Sequence, residues 1–377
     1  MSIDLTAKLS ELGKISRGPS PVVSVYLDTR WADEHQRDRV RVFLKNELAR
    51  ARRASSNRAA DGDLDWIESQ GAALVGQATM PEAAGVALFA CEALGLRELL
   101  PVRMPFADTF AVADSPVLRP LAALAETTPP ALLIFVDAEH ARLWTVTAEG
   151  AAAEVVLEAE REGHPRVAGG PQMVQTGWDR RQGAARERHL DVVAKRAVTL
   201  ADSEGIQHLI VAGEPRNVAL LRKALPLSVA KHVVGEIAGS RDEAGDVLVR
   251  RATELLSRAQ GQRDAEEVDD ILVTAAKGGK AAAGVDATLE AVKRGAIHRL
   301  YLLGEFCASG GICVACGNLQ GDSSEPCRLC GKPTRPADLA EAMIHRVIAA
   351  GGKVLTLSTH AALGGAGGVA AELRFPL

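Results

Sequence analysis

Aromatic side chains are scarce in this chain: Phe, Trp and Tyr make up only 3% of its 377 residues. Its cores must therefore be aliphatic, and each of the four tryptophans, Trp31, Trp66, Trp144 and Trp178, has to be placed on its own account. No apolar run approaches the ~18 residues that a membrane-spanning helix needs. The opening MSIDLTAKLSELGK carries polar residues at helical spacing and lacks the apolar core of a signal peptide. The expectation is a cytoplasmic protein with no membrane contact. A positive excess is missing as well, the formal net charge being −4, so any hold on nucleic acid must come from local patches. The familiar hydrolase signatures are also absent. The nine histidines form no His-x-x-x-His pair, Gly279-Lys280 runs into Ala281 without a phosphate-loop frame, and no Ser/His/Asp set assembles by spacing.

What is present is an ordinary globular composition, 47% hydrophobic and 24% charged, in a chain long enough for two or three domains. Val22 to Leu27 is a β-rich run entered at Pro21, and 36–58 has helical spacing with Val40, Phe43, Leu44 and Leu48 on one stripe. Gly85 to Cys91 and Leu99 to Arg103 read as buried strands, and Thr127-Thr128-Pro129-Pro130 as a boundary. A strand pair follows over 131–137 and 141–146, continued at Val155 to Leu157. The stretch 164–181, rich in Gly and Pro, shows no period and reads as a long loop. Leu190, Val193, Ala197, Leu200 and Ala201 predict a helix over 182–204 closed by Gly205, then a strand over 208–213. Helices over 218–225 and 242–263 flank a strand near 232–237. The last part alternates helices (268–276, 286–294, 336–350) with strands (297–303, 353–357, 370–375). The expected fold is α/β in three domains, 1–128, 129–264 and 265–377, the central one a mixed sheet with a long helix, the last a sandwich with a cysteine insertion at 313–330.

That insertion carries the sharpest local signal. Cys313 and Cys316 form one C-x-x-C pair and Cys327 and Cys330 another, ten residues apart, and Gly317 and Gly331 directly follow the pairs. Two such knuckles gather four thiolates into a tetrahedral Zn²⁺ shell with no open position, a structural site rather than a catalytic one. The competing reading is a pair of disulfides or idle thiols, which a cytoplasmic setting disfavours.

The order of motifs resembles the archaeal and eukaryotic peptide-chain release factor superfamily, which includes Pelota, the bacterial release-factor-like proteins and the ribosome-hibernation factor Balon. VVSVYLDTR at 22–30 looks like the family's opening strand, and GVDATLEAVKRGAIHRLYLLGE at 284–305 like the helix and strand of its third domain. GGAGGVAAELRF at 364–375 is similar to its closing glycine turn and last strand. The resemblance implies a ribosomal A-site ligand. In true release factors a Gly-Gly-Gln opens the long helix of the middle domain and positions water against the peptidyl-tRNA ester. Here Gln182 is preceded by Arg180 and Arg181, and Asp179 stands where Gly-x-x-Gln relatives keep glycine. Long side chains hinder the backbone angles and close approach that glycine allows, so the motif is lost. Gly169-Gly170-Pro171-Gln172 is no substitute, being ten residues before that helix and containing a proline. Gly163-His164-Pro165 and Gly177-Trp178 resemble the bacterial, hibernation-type branch.

Between Trp178 and Arg196 there are six basic residues against three acids, with His189 interleaved. Positive charge beside a stacking ring suits ribosomal RNA, and the bland alternative is a solvated helix face. With the resemblance, Gly177, Trp178, Arg180, Arg181, Gln182, Arg186 and Arg188 are expected at the peptidyl-transferase centre, and Arg37, Arg41 and Lys45 on the decoding side. The expected function is occupancy of the A site by a hibernation or protection factor that is monomeric off the ribosome. Its partners would be ribosomal RNA, tRNA and an elongation factor Tu-like GTPase. The alternatives are a rescue-type peptidyl-tRNA hydrolase or release factor using Gln182, and an interaction protein that never meets the ribosome.

Overall fold

The computed structural model describes residues 5–15, 20–31, 34–54, 60–76, 83–102, 104–127, 129–147, 151–159 and 171–377, with backbone alone for 126–127, 151–154 and 171–182. Contacts divide the chain into two units, one made of 1–127 together with 261–377, the other of 128–260.

In the N-terminal segment, α1 (Leu5–Gly13) leads to β1 (Val22–Asp28), α2 (Glu34–Ala54), α3 (Asp61–Val75), β2 (Gly85–Cys91), β3 (Leu96–Val102), β4 (Thr109–Ala113) and α4 (Arg119–Thr127). The sheet is antiparallel, in the order β3-β2-β1-β4. Alternation fixes its faces: Val23, Val25 and Leu27 point to Val40, Leu44 and Leu48 of α2 and to Leu64 and Ile67 of α3. Trp31 is buried in the same core and Trp66 packs against it. On the other face Tyr26 meets Phe89 and Phe106 edge-on, at 5.8 and 4.9 Å.

The central unit holds β5 (Ala131–Val136), β6 (His140–Val146), β7 (Ala151–Glu158), α5 (Pro171–Glu204), β8 (His208–Gly213), α6 (Pro215–Ala224), α7 (Leu227–Ala230), β9 (Val233–Ile237) and the start of α8 (Gly245–Ala276). Its sheet is mixed, β7-β6-β5-β8-β9, with β5, β8 and β9 parallel and β6 and β7 antiparallel. β5 shows why the pattern works. Leu132, Ile134 and Val136 face α5 and α6, whereas Ala131, Leu133 and Phe135 face Leu248, Val249, Ala252 and Leu256 of α8. Trp144 lies on that second face with the Arg142 guanidinium 4.7 Å from its ring centroid.

The C-terminal segment adds β10 (Ala281–Ala283), α9 (Val285–Lys293), β11 (Ile297–Leu303), β12 (Ser309–Cys313), β13 (Leu319–Gln320), β14 (Thr334–Asp338), α10 (Leu339–Ala349), β15 (Lys353–Leu357), α11 (Ala361–Gly365) and β16 (Val369–Leu373). One sheet runs β10-β16-β11-β15, and a small antiparallel ribbon, β13-β12-β14, is inserted after β11. Val268 and Ile271 of α8 pack on Tyr301, Leu355 and Leu357. Arg299 and the Tyr301 hydroxyl both donate to Glu267 of α8, at 2.7 and 2.6 Å.

Several sequence expectations are corrected here. The helices expected over 242–263 and 268–276 are one helix, α8, because no proline or capping glycine interrupts the stretch between them. The helix expected from Pro336 starts at Leu339, where the Asp338 carboxylate accepts the Ala340 N–H (2.9 Å); Pro336 sits in an edge strand, where its missing N–H costs no ladder bond. The long loop expected to reach Arg181 ends sooner, since the backbone is helical from Pro171 onward. Proline at a first helical position is preorganised for the helix, and only Gly177 and Gly183 interrupt otherwise helix-compatible residues. Gly163-His164-Pro165 and Gly169-Gly170 lie outside the described residues, while Pro171 and Gln172, expected in a loop ten residues before the helix, open it instead.

Candidate metal centre and the basic helix

Each C-x-x-C-Gly repeat folds in the same way. The Gly317 N–H donates to the Cys313 carbonyl (3.0 Å) and the Gly331 N–H to the Cys327 carbonyl (2.8 Å). Both glycines take left-handed backbone, φ 72° and 69°, which a side chain would strain. The turns aim backbone donors at sulfur: Ala315 and Cys316 N–H at Cys313 Sγ, both 3.4 Å, and Leu329 N–H at Cys327 Sγ, 3.4 Å. The β12-β13-β14 ribbon brings the repeats together, and the four sulfurs lie within 4.8 Å of one another. The contacts Cys313–Cys330 (3.4 Å), Cys316–Cys330 (3.4 Å) and Cys316–Cys327 (3.6 Å) approach the separation of about 3.8 Å that a tetrahedron with 2.3 Å metal–sulfur bonds requires.

Backbone donors aimed at the sulfurs set up a site for a cation. The Cys316 N–H, with its neighbours, holds the Cys313 thiol down at about 6, and Cys327 is lowered by backbone donors acting against burial. At Cys330 the Lys332 N–H favours the thiolate, but the sulfurs of Cys316 and Cys313 outweigh it and push the thiol up to about 12. A divalent cation at their centre would displace the remaining thiol protons. The cluster can hold a metal ion, and these residues fit one.

Two supporting side chains carry no spacing signature and were missed. Asn318 Nδ2 lies 3.6 Å from Cys327 Sγ. The Gln320 amide spans the intervening loop, donating to the Asp322 carbonyl (2.7 Å) and accepting from the Arg328 N–H (3.1 Å).

The residues expected to meet RNA fall into three groups. Gly177, Trp178, Arg180, Arg181 and Gln182 lie in the helical backbone of α5, and their side chains are outside the described residues. Arg186 is half-buried and Arg188 exposed, further along the same helix. His189 is buried instead of joining them. Desolvation lowers its imidazole below the usual value, opposed by the His140 backbone and the Asp137 carboxylate. On α2, Arg37 meets Glu34 at 3.2 Å and Arg41 meets both Glu34 (3.7 Å) and Asp38, while Lys45 is exposed. Such pairs are the arrangement of a solvated helix face.

The mixed sheet and the long helix α5 fall within the part of the chain that is similar to the bacterial branch of the archaeo-eukaryotic release factors. Residues 116–268 match the model of bacterial archaeo-eukaryotic release factor family 10. No curated protein matches. Among solved structures the chain is similar to the archaeal translation termination factor aRF1, at 17% identity over 99% of this chain and 97% of that one, TM-score 0.27. It is also similar to Archaeoglobus fulgidus Pelota, at 18% identity over 77% and 79%, TM-score 0.37. Archaeal Pelota in a ribosome-bound model with ABCE1 is 15% identical over 100% and 96%, TM-score 0.40. No helix among the described residues is long and apolar enough to cross a membrane.

Proposed function

We propose that the chain is a cytoplasmic, ribosome-binding translation factor that occupies the A site and protects idle ribosomes without cleaving peptidyl-tRNA. The observation that carries this reading is a family match over 116–268 in which Arg180 and Arg181, in a helical segment, stand directly before Gln182. An ester-hydrolysing loop needs glycine backbone at that place, free to leave helical angles and to approach the ester closely. Arginine there offers charge for phosphate instead.

On this reading Trp178, Arg180, Arg181 and Gln182, with Arg186 and Arg188 behind them, meet ribosomal RNA near the peptidyl-transferase centre. Lys45 is the α2 residue best suited to the decoding side, Arg37 and Arg41 being engaged with carboxylates of their own helix. An elongation factor Tu-like GTPase is the delivery partner expected of a protein of this build. The metal is Zn²⁺, which Cys313, Cys316, Cys327 and Cys330 would hold in a closed shell that folds the ribbon and supplies no reactive position.

A second reading has one observation in its favour. Gln182 is followed by Gly183, whose missing Cβ would meet nothing within 4 Å, so one permissive residue remains beside a glutamine that could orient water. Peptide release from stalled ribosomes separates the two: the protection reading expects none above background, and release abolished by Gln182→Ala would establish the hydrolase.

A further inference from the structure

The four residues at the start of the family-matched segment are held by side chains from both ends of the chain. From the N-terminal sheet, Ser24 Oγ accepts the Val117 N–H (3.0 Å) and the Tyr26 hydroxyl donates to the Val117 carbonyl. From α10, Glu341 Oε1 accepts the N–H groups of Leu118 (3.0 Å) and Arg119 (3.1 Å), and the His345 ring bonds the Pro116 carbonyl. The Arg119 guanidinium donates to the carbonyls of Phe306 (2.6 Å) and Gly304 (3.3 Å), and Arg335 pairs with Asp114 at 2.6 Å.

The N–H groups of Leu118 and Arg119 open α4 and have no acceptor within their own helix, so the Glu341 carboxylate is their cap, supplied from more than two hundred residues away. Apolar contact continues the junction. Leu118 and Leu121 are fully buried, α4 packs on β15, and Gly13 of α1 lies so close to Ile348 of α10 that an added Cβ would stand 2.5 Å from its Cγ2.

We propose that residues 116–119 form a latch that joins segments 1–127 and 261–377 into one body in solution, with Glu341 as the group that closes it. The latch uses none of the residues assigned to RNA or metal, so it stands or falls apart from the function proposed above. Its logic is a shared backbone: the Val117 N–H and carbonyl are met from the N-terminal sheet, the Leu118 and Arg119 N–H groups and the Pro116 carbonyl from α10, and withdrawing α10 strands two N–H donors.

Residue-resolved amide exchange on the full chain tests it. In the wild type the Leu118 and Arg119 amides are expected to be as protected as those of β1. Glu341→Ala should speed exchange at both by at least about tenfold, the effect of stranding a buried donor. The Val117 amide, held by Ser24, should change little. Glu341→Gln, which keeps an acceptor oxygen, should retain most of the protection. Wild-type amides exchanging like those of an exposed turn, or an unchanged rate in Glu341→Ala, would overturn the latch. A cleavage site placed at Thr128 of the full chain gives a second reading that needs no Glu341 variant. After cutting, the N-terminal piece should stay with the remainder on gel filtration, and its free separation would equally overturn the proposal.

Discussion

Two glycines and a histidine show what single positions contribute. Gly331 has left-handed backbone and open space where a Cβ would go, so Gly331→Ala meets no clash and isolates the conformational penalty, about 1 to 2 kcal/mol. A matching loss of stability should appear in denaturant unfolding of the metal-loaded protein. Removing a ligand is harsher. Cys316→Ala should lower bound zinc from one ion per chain to near none, read by metal analysis after gel filtration, and a chelator should destabilise the C-terminal segment in the same way. His189 sets a pH dependence. Its folded pKa lies below the ordinary 6.5, so the unfolded chain binds the extra proton first. The stability owed to neutral His189 is complete above about pH 6.5 and declines as the pH falls below it. Unfolding midpoints measured between about pH 7.5 and about pH 5.5 should fall with pH, and His189→Leu should flatten that slope.

Elements were legible where one physical rule governed them. Continuous β-rich apolar runs marked β1, β2, β5 and β6, the stripe Leu190, Val193, Ala197 marked the packed part of α5, and Gly205 marked its end with φ 65°. The cysteine spacing picked out the four sulfurs that the structure brings within 4.8 Å of one another. Elements that depend on distant partners were not legible. The ribbon strands flanking the cysteines are short and acquire meaning only by pairing with each other, and α4 is capped by a glutamate on another helix. The early part of α5 was misread because Gly177 and the charged Asp179-Arg180-Arg181 carry no apolar stripe, although nothing in them forbids a helix. That correction is testable: if 171–181 is helical, Gly177→Ala should stabilise the protein by up to about 1 kcal/mol in thermal unfolding. A loop would gain nothing of the kind.

For the molecule as a whole, the described residues form four sheets, and contacts gather 1–127 with 261–377 in one unit and 128–260 in the other. With a net charge of −4 there is no general attraction to RNA, so binding must rest on the few arginines of α5 and weaken steeply with salt. The central claim is that these arginines replaced a hydrolytic glycine pair and turned a release-factor scaffold into an occupant of the ribosome. The most direct measurement places the purified protein on ribosomes carrying peptidyl-tRNA and scores sedimentation and peptide release together, for the wild type, for Arg180→Ala with Arg181→Ala, and for Gln182→Ala. The account predicts salt-sensitive binding that the double arginine variant weakens about tenfold or more, with no release by any form. Wild-type release that Gln182→Ala abolishes, or no binding at all, would contradict it.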